Sequence, residues 1–418
     1  MRPQVLHIAH RLPYPPNKGD KIRTFNIIRH LARDCDVHVV ALVDDDADLE
    51  HVGGLAQTAK TVSYARISAR VRPIRSALAM LSGRPISVSH FYSRDIQAKI
   101  DEMIEELDFD AVICSSSPTA EYLFRSSSAT SRLASVPRIM DLIDVDSRKW
   151  ADYAESSGLL RSLVYRYEAR SLAAYEQRIG KAFGRVLVVT PEEADLFRSE
   201  SGCTNVIAVR NGVDFDFFSP SPQPSTNSTG RAITFVGVMD YFPNVDGMRW
   251  FIDKVLPRVK DRVSDAELFI VGSNPTPAVQ AWGEVAGITV TGFVDDVRLY
   301  LDRSAVCIAP LRIARGVQNK VLEAMAMARP IVCSEAALTG IEAADGSEVF
   351  CRNEPDAFAE AICDLLEDPT TGQAIGRAAR EFVESHYSWS ACLQPINEII
   401  GLPDLTGVSE SRGVGARL

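Results

Sequence analysis

Three kinds of pattern are scarce or missing in this 418-residue sequence. No apolar run approaches the roughly 18 residues that a membrane-spanning helix needs, so we expect no transmembrane segment. The eight cysteines are scattered without a Cys-x-x-Cys pair, and several lie in apolar runs where a thiol acts as a small hydrophobe. The first residues lead directly into a strand-like segment and lack a signal-peptide pattern. We therefore expect a cytoplasmic protein in a reducing compartment.

The composition is that of an ordinary globular protein, and the length predicts two domains. Hydrophobic residues make up 46% and charged residues 24% of the chain, which excludes a wholly disordered protein. With 45 Lys and Arg against 55 Asp and Glu, the formal net charge is −10. Because such a protein repels polyphosphate, we do not expect a nucleic-acid partner.

One long segment, residues 51–94, contains no Asp or Glu although the chain as a whole is acidic. Its apolar stretch 76–82 is flanked by basic residues, an arrangement that can lie in the interface of an anionic membrane. We therefore predict a membrane contact through Arg70, Arg72 and Arg75. The alternative is a mobile or acceptor-binding loop whose arginines pair with carboxylates from elsewhere in the chain. The basic residues of the segment are Lys60, Arg66, Arg70, Arg72, Arg75, Arg84 and Arg94.

Short runs rich in Val and Ile alternate with amphipathic stretches in both halves of the chain. This alternation predicts an α/β fold with parallel sheets between helices. We predict two Rossmann-like domains, 1–219 and 231–380, joined by the Pro- and Ser-rich linker 220–230 and separated by a ligand-binding cleft. Residues 403–418 read as a loose tail. The predicted strands are 5–10, 37–42, 111–115, 138–143, 186–190 and 206–210, then 232–236, 268–271, 288–290, 306–309 and 331–333.

A proline-rich loop with several cations follows the first strand. Lys18, Lys21 and Arg23 cluster at the start of the first predicted helix, where the helix macrodipole disfavours cations. Their position favours a bound anion, which backbone N–H groups would also hold. The alternative is a solvated loop with outward-pointing lysines. The loop is not Gly-x-Gly-x-x-Gly, so an ordinary dinucleotide fingerprint is missing.

Two carboxylates follow the fourth predicted strand. Asp144 and Asp146 lie on the same side of an extended chain, at the edge where open α/β sheets bind ligands. An Asp-x-Asp pair can hold Mg²⁺ or Mn²⁺. Alternatively, Asp146 and Ser147 cap the helix that follows.

A second glycine loop, after the strand that ends near Pro310, leads into a helix that begins around Gln318. Lys320 in the first turn and the helix N-terminus together favour a bound phosphate. Glu323 lies about one turn farther along, where a carboxylate can accept two hydrogen bonds from a diol. The pattern indicates a nucleotide-sugar site, and the alternative is an ordinary surface glutamate.

Four sequence blocks carry a family resemblance in order: PYPPNKGDKIRTFNIIRHLA (13–32), DLIDVDSRKWADYA (141–154), VRNGVDFDFFSP (209–220) and PLRIARGVQNKVLEAMAMARPIV (310–332). With them the chain resembles, over residues 4–400, the GT-B nucleotide-sugar transferases of glycosyltransferase family four. Within that family it resembles in particular the sugar transferases associated with exosortase/PEP-CTERM exopolysaccharide loci. The resemblance implies a GT-B fold, two Rossmann-like domains facing across a cleft, with a C-terminal helix (381–402) that packs back on the N-terminal domain.

The resemblance also implies a retaining glycosyltransferase that takes a sugar from a nucleoside-diphosphate donor without a metal ion or other cofactor. By position, Gly19 would face the transferred sugar and phosphates, and Glu323 would bind the ribose. Arg315 stands where the first glutamate of the E-x7-E motif is expected, so we assign the diphosphate to Lys320 with Arg312 or Arg315. The implied donor-binding set is Gly19, Lys21, Arg23, Gly237, Arg312, Arg315, Gly316, Val317, Gln318, Lys320 and Glu323.

On the catalytic side, Asp144, and after it Asp146, best matches the His or Asp of the family. Such a carboxylate could orient the acceptor hydroxyl or stabilise positive charge on the sugar. The resemblance implies a lipid-linked saccharide acceptor at the cytoplasmic face of the cell membrane, in exopolysaccharide biosynthesis. Two alternatives stay open: a GT-B nucleotide-sugar epimerase that needs no acceptor, and a non-catalytic sugar-nucleotide sensor suggested by Arg315.

Overall fold

The computed structural model describes residues 2–67, 72–155, 157–221, 230–314 and 316–402, without the side chains of residues 72–74. Contacts between residues divide the chain into two compact units. The first runs to Arg210 and also includes the chain from Ser390 onward, and the second is Asn211–Trp389. The side chains of Arg70, Arg72 and Arg315, the tail 403–418 and nearly all of the predicted linker 220–230 lie outside this description.

Within the described part of the first unit, seven parallel strands form one sheet. Their order is β3-β2-β1-β4-β5-β6-β7. Because the order reverses beside β1, the carboxyl ends of β1 and β4 form a switch point of the kind at which parallel sheets bind ligands. The strands are β1 (Gln4–Ala9), β2 (Asp36–Val43), β3 (Thr61–Arg66), β4 (Ala111–Ser115), β5 (Arg138–Ile143), β6 (Arg185–Val188) and β7 (Val206–Ala208).

The helices of this unit cover the sheet with their apolar faces. Ile96, Ile100 and Ile104 recur every fourth residue and share a core with Leu6 and Ile8 of β1, which alternate along the strand. The helices are α1 (Gly19–Leu31), α2 (Val52–Ala56), α3 (Arg72–Leu81), α4 (Ile86–His90), α5 (Arg94–Glu106), α6 (Ala120–Arg125), α7 (Ser127–Arg132), α8 (Asp146–Glu155), α9 (Leu159–Ala182) and α10 (Pro191–Ser201).

The described part of the second unit holds a sheet of six parallel strands in the order β10-β9-β8-β11-β12-β13. Its switch point lies between β8 and β11. The strands are β8 (Ala232–Val236), β9 (Glu267–Val271), β10 (Ile288–Gly292), β11 (Val306–Ala309), β12 (Ile331–Cys333) and β13 (Phe350–Cys351). The helices are α11 (Phe242–Trp250), α12 (Leu256–Arg262), α13 (Pro277–Gln280), α14 (Arg298–Arg303), α15 (Asn319–Ala326), α16 (Glu335–Leu338), α17 (Pro355–Glu367) and α18 (Pro369–His386).

The last helix, α19 (Trp389–Ile400), belongs to the first unit from Ser390 onward. Within that unit, His30 Nε2 of α1 and Asn397 Oδ1 of α19 lie at a hydrogen-bonding distance of 3.0 Å. The division between the units falls after Arg210, whereas the predicted first domain runs to residue 219.

The predicted α/β fold with two Rossmann-like domains is confirmed. Two strands have no counterpart in the prediction: β3, whose residues are mostly half-exposed or exposed, and β13, which is only two residues long. Both are edge strands, so neither has the continuous buried run that marks a central strand. Across the residues that the structure describes, no helix combines the length and apolar character needed to cross a membrane.

Candidate functional site

A half-buried lysine lies beside the switch point of the second unit. Lys320, in the first turn of α15, donates a hydrogen bond of 2.5 Å from Nζ to Oδ1 of Asn244 in α11. The same ammonium lies 4.7 Å from the ring centroid of Phe235 in β8, within cation–π range. The side chain is thereby held next to β8, at the edge of the sheet where ligands are expected.

Asn244 is itself held in place by the turn that follows β8. Its Nδ2 donates a hydrogen bond of 2.9 Å to the carbonyl oxygen of Val238. A Cβ atom at Gly237 would lie only 2.7 Å from that Nδ2, so a larger residue would displace the amide. Gly237, Asn244 and Lys320 therefore form one tightly packed group, and Asn244 was not among the predicted site residues.

The electrostatics of α15 are set by burial. Burial lowers the pKa of Lys320 to about 7, although the charge of Glu323 opposes the shift. Burial raises the pKa of Glu323 to about 7, and the charge of Lys320 opposes that shift in turn. Both groups therefore change protonation near neutral pH, and an anion beside Lys320 would favour its ammonium form.

The first turn of α15 has no side-chain cap from its N-cap residue, Gln318. The Nε2 of Gln318 instead donates to the carbonyl oxygen of Gly316 at 3.2 Å. Gly316 has a φ of +64°, a conformation that glycine adopts without strain, and Val317 is buried. The positive end of the helix dipole at this start would favour a nearby anion.

Of the two arginines predicted to assist Lys320, the structure describes only Arg312. The side chain of Arg312 is exposed, and its Nη1 lies 3.9 Å from Oδ1 of Asp246, a weak surface contact. Arg315 lies outside the described residues. Lys320, which is half-buried, is therefore better placed than Arg312 to act as the cation of this helix start.

In the first unit, the loop after β1 carries a network of charged side chains. Arg11 donates to Asp44 at 2.9 Å and to Asp20 at 3.1 Å, and His10 Nε2 lies 3.1 Å from Asp20. Burial alone would raise the pKa of Asp20, but contacts with His10 and Arg11 outweigh it and hold that pKa well below its usual range. The carboxylate therefore stays ionised and orients His10, at the end of β1.

Lys21 and Arg23, which were predicted to bind the donor, both have carboxylate partners inside the fold, and their donor-binding role stays a prediction. Lys21 Nζ lies 2.7 Å from both carboxylate oxygens of Asp48, and both side chains are buried. Arg23 is fully buried, pairs with Asp141 at 2.8 Å, and donates to the carbonyl oxygen of Val209. Both cations are thus paired with carboxylates of the same unit. Gly19 opens α1 in an exposed position, and its predicted contact with the sugar stays a prediction.

Asp144 and Asp146 follow β5 in a tight turn. Ile143 has a φ of +74°, and the strand pairing shifts register between Asp141 and Ile143. Burial raises the pKa of Asp146 to about 6, with Lys149 and His10 opposing the shift and Asp144 and Glu168 adding to it. The turn therefore brings the two aspartates into one electrostatic group with His10, which was not predicted as a site residue.

The alternative reading of this turn as a simple helix cap is only partly correct. Asp146 is the first residue of α8, but the hydroxyl and N–H of Ser147 both donate to Glu176 of α9, at 2.5 and 3.1 Å. Burial raises the pKa of Glu176 to about 8, with the hydrogen bonds from Ser147 opposing and the charge of Asp146 adding to the shift. Across the ranges the structure describes, no three His, Cys, Asp or Glu side chains group as metal ligands would.

Of the predicted membrane residues, Arg75 has a described side chain. Its Nη1 donates to the carbonyl oxygen of Tyr92 at 2.8 Å and to that of His90 at 3.4 Å. The guanidinium is therefore half-buried against backbone acceptors, and the membrane role of Arg75 stays a prediction. Arg70 lies outside the described residues, and only the backbone of Arg72 is described, at the start of α3.

The residues that sequence reasoning missed share one signal. Asn244 and His10 both lie close behind the first strand of their unit, where polar residues meet at a sheet edge. Neither belongs to a motif with fixed spacing, so only the position after the strand could have identified them.

Comparisons with known proteins agree with this geometry. Residues 230–368 match the family model described as Glycosyl transferases group 1. The Klebsiella pneumoniae protein named "Uncharacterized 44.6 kDa protein in cps region" is 21% identical, over 92% of this chain and 96% of its own length. The D-inositol 3-phosphate glycosyltransferase of Corynebacterium diphtheriae is 25% identical, over 56% of this chain and 59% of its own length.

A solved structure shares the fold of nearly the whole chain. HepE from Anabaena, in complex with UDP and glucose, matches with a TM-score of 0.64 at 14% identity, over 95% of this chain and 99% of HepE. The fold is thus that of GT-B glycosyltransferases. Together with the family match and the glycosyltransferase relatives, the fold identifies the chain as a glycosyltransferase.

Proposed function

We propose that the protein transfers a sugar from a nucleoside-diphosphate donor, with retention of configuration, to a lipid-linked saccharide in exopolysaccharide biosynthesis. One observation carries the donor assignment: the half-buried Lys320 lies at the start of α15, held by Asn244, and Glu323 follows on the same helix. A cation at a helix N-terminus suits a diphosphate, and a carboxylate one turn later suits a ribose diol.

Lys320 and the N–H groups at the start of α15 would bind the diphosphate. Asn244 fixes the lysine side chain, so its charge is already oriented before the donor arrives. The same positive groups would stabilise the negative charge that grows on the leaving diphosphate. We therefore propose that the reaction needs no metal ion and that the donor is a co-substrate rather than a cofactor.

The ribose would hydrogen-bond to Glu323. An ionised carboxylate accepts two hydrogen bonds from neighbouring hydroxyls, and the charge of Lys320 favours that ionised form. HepE was solved with UDP and glucose, which supports a nucleoside diphosphate as the first ligand to test.

The catalytic assignment uses Asp144 and Asp146 of the first unit. A partly buried carboxylate near a reacting sugar can stabilise developing positive charge or orient the acceptor hydroxyl. Asp146 has a raised pKa and His10 and Lys149 as electrostatic neighbours, as expected of a group shaped for catalysis rather than for stability.

The proposed acceptor and location follow from one relative and from the sequence resemblance. The Klebsiella relative is a protein of a cps region, and the sequence resemblance points to family four and to exopolysaccharide loci. A lipid-linked acceptor would bring the enzyme to the cytoplasmic face of the cell membrane, where it would act as a peripheral protein.

Donor turnover tests the proposal directly. We expect UDP, GDP, ADP or dTDP to raise the melting temperature, because a ligand of the folded state stabilises it. The matching nucleotide sugars, supplied with membrane lipid extract and EDTA, should then be consumed, with a product of the donor's anomeric configuration by NMR. No donor consumption across the panel would contradict the proposed reaction, and turnover without any acceptor would favour an epimerase.

A further inference from the structure

Five strongly exposed leucines lie where the end of α3 meets the start of α9. We call them the leucine patch: Leu78, Leu81, Leu159, Leu160 and Leu163, with exposed fractions of 60, 85, 89, 83 and 64%. Single exposed leucines are ordinary on a protein surface, but a contiguous group marks an interaction site.

The two helix ends are joined by Tyr167 of α9. Its hydroxyl lies 3.1 Å from the carbonyl oxygen of Ala79 and 3.0 Å from that of Arg84, at the C-terminal end of α3. Leu163 lies one helical turn before Tyr167, and Leu159 and Leu160 lie one turn earlier still. The leucines of α9 therefore continue the apolar surface that begins at Leu78 and Leu81.

The surroundings of the patch are basic in a chain whose net charge is −10. Arg84, Arg161, Arg166 and Arg170 are exposed, and none forms an ion pair with any residue that the structure describes. Arg166 and Arg170 also line a groove of about 550 Å³ with Leu163, Tyr167 and Ser171.

The carboxylate nearest to the patch in these two segments does not offset this charge. Residues 72–84 contain no Asp or Glu, and residues 157–171 contain only Glu168. Glu168 is 2% exposed and accepts hydrogen bonds from the N–H groups of Ile86 and Ser87, at 2.6 and 2.9 Å. Within these two segments, no exposed carboxylate therefore offsets the four arginines.

We propose that the leucine patch and its four arginines dock the protein on an anionic lipid bilayer. Protruding leucines at helix ends can enter the acyl boundary while arginines meet the lipid phosphates. An acidic protein needs such a local basic surface, because its overall field repels the same bilayer. The inference rests on the proposed action at a membrane, and it moves the contact from the predicted Arg70, Arg72 and Arg75 to the junction of α3 and α9.

Vesicle sedimentation of the full chain tests the inference. Wild-type protein should pellet with vesicles of phosphatidylcholine and phosphatidylglycerol, and much less with phosphatidylcholine alone. Leu81→Ser with Leu160→Ser, and separately the four arginines changed to Gln, should each lower binding by at least about tenfold. Leu299→Ser with Arg303→Gln is the matched control, because both residues are exposed on α14 in the other unit.

Three outcomes would overturn the inference: no binding of wild-type protein to anionic vesicles, unchanged binding of the patch variants, or loss of the control's binding to the same extent. Loss of a dimer by the patch variants in analytical ultracentrifugation would assign the surface to a second copy instead. The nucleotide-induced rise in melting temperature should be the same in all variants, which verifies folding. Vesicle binding without any sugar transfer would contradict the proposed reaction while leaving the docking surface intact.

Discussion

The ammonium of Lys320 and the side-chain oxygen of Asn244 lie 2.5 Å apart although 76 residues separate them in the chain. This hydrogen bond joins the start of α15 to α11 and holds in place an amine whose pKa burial lowers to about 7. The amide belongs to the group that Gly237 closes. Gly237, which has no side chain, therefore leaves room for Asn244 to hold the ammonium of Lys320.

Glu323→Ala should weaken UDP binding by about 10- to 100-fold, because hydrogen bonds to a charged group contribute about 1.5–3 kcal/mol. Isothermal titration calorimetry measures the effect. Glu360→Ala is the control, since Glu360 is an exposed residue of α17 in the same unit. An unchanged Kd for Glu323→Ala would contradict the ribose assignment.

Gly237→Ala should disturb both stability and nucleotide binding. Its methyl group would lie 2.7 Å from Nδ2 of Asn244, and overpacking of this kind costs about 1–3 kcal/mol. Urea unfolding and calorimetry with UDP should both report the loss. Gly53→Ala should be neutral in both, because a Cβ atom there meets nothing within 4 Å. Equal behaviour of the two variants would show that Asn244 does not depend on the glycine.

Affinity for UDP should be greatest near pH 7 and fall on both sides. Above pH 7, Lys320 loses its proton in the free protein, since its pKa is lowered to about 7, and binding must then restore the charge. Below pH 7, Glu323 becomes protonated, since its pKa is raised to about 7, and accepts ribose hydrogen bonds less well.

Two variants distinguish the fall in UDP affinity above pH 7 from the fall below pH 7. Calorimetry across pH 5.5–9 should find the alkaline decline missing in Lys320→Met and the acid decline reduced in Glu323→Gln. If Lys320→Met keeps the full alkaline decline, the titrating cation lies elsewhere.

Arg23→Met should lower the free energy of unfolding by about 3–5 kcal/mol, because it leaves Asp141 as a buried unpaired charge. Arg23→Met with Asp141→Leu should recover much of the loss, since neither charge is then buried. Nucleotide affinity of the folded variants should stay unchanged. Weakened nucleotide binding with unaltered stability would instead restore the donor-binding role predicted from the sequence.

Asp146→Asn should reduce the rate of sugar transfer by about 100- to 10,000-fold with little change in donor affinity, if its carboxylate acts in the reaction. The wild-type rate should fall as pH drops through about 6, because the raised pKa of Asp146 lets it protonate there. Glu155→Gln, at the exposed end of α8, is the control. A rate profile without this acid limb would remove Asp146 from catalysis.

The layout of the two sheets could be predicted because it depends on local patterns. The strands from β4 to β6 are short Val- and Ile-rich runs between amphipathic helices, and periodicity of this kind is readable along the chain. The start of α15 was readable for the same reason: a glycine, a lysine and a glutamate follow a buried strand at close spacing.

The use of each charge could not be predicted in the same way. Lys18, Lys21 and Arg23 look alike in the sequence, yet Arg23 pairs with an aspartate 118 residues away and Lys21 pairs with Asp48. Such partners are distant in the chain, so no spacing rule indicates them. The exposure of single residues could not be predicted either. Leu81 and Ile100 are both apolar helix residues, but Ile100 is buried and Leu81 is exposed.

The sequence by itself determined that this chain forms two α/β units and that a helix with a lysine in its first turn follows a strand of the second unit. Both features depend on hydrophobic periodicity and on residues that are neighbours in the chain. Only the tertiary structure decided which side chain each cation contacts. That choice depends on burial and on partners brought together across the sheets, as Asn244 is brought to Lys320 and Asp141 to Arg23. A buried charge must be paired, and its partner exists only once the chain has folded.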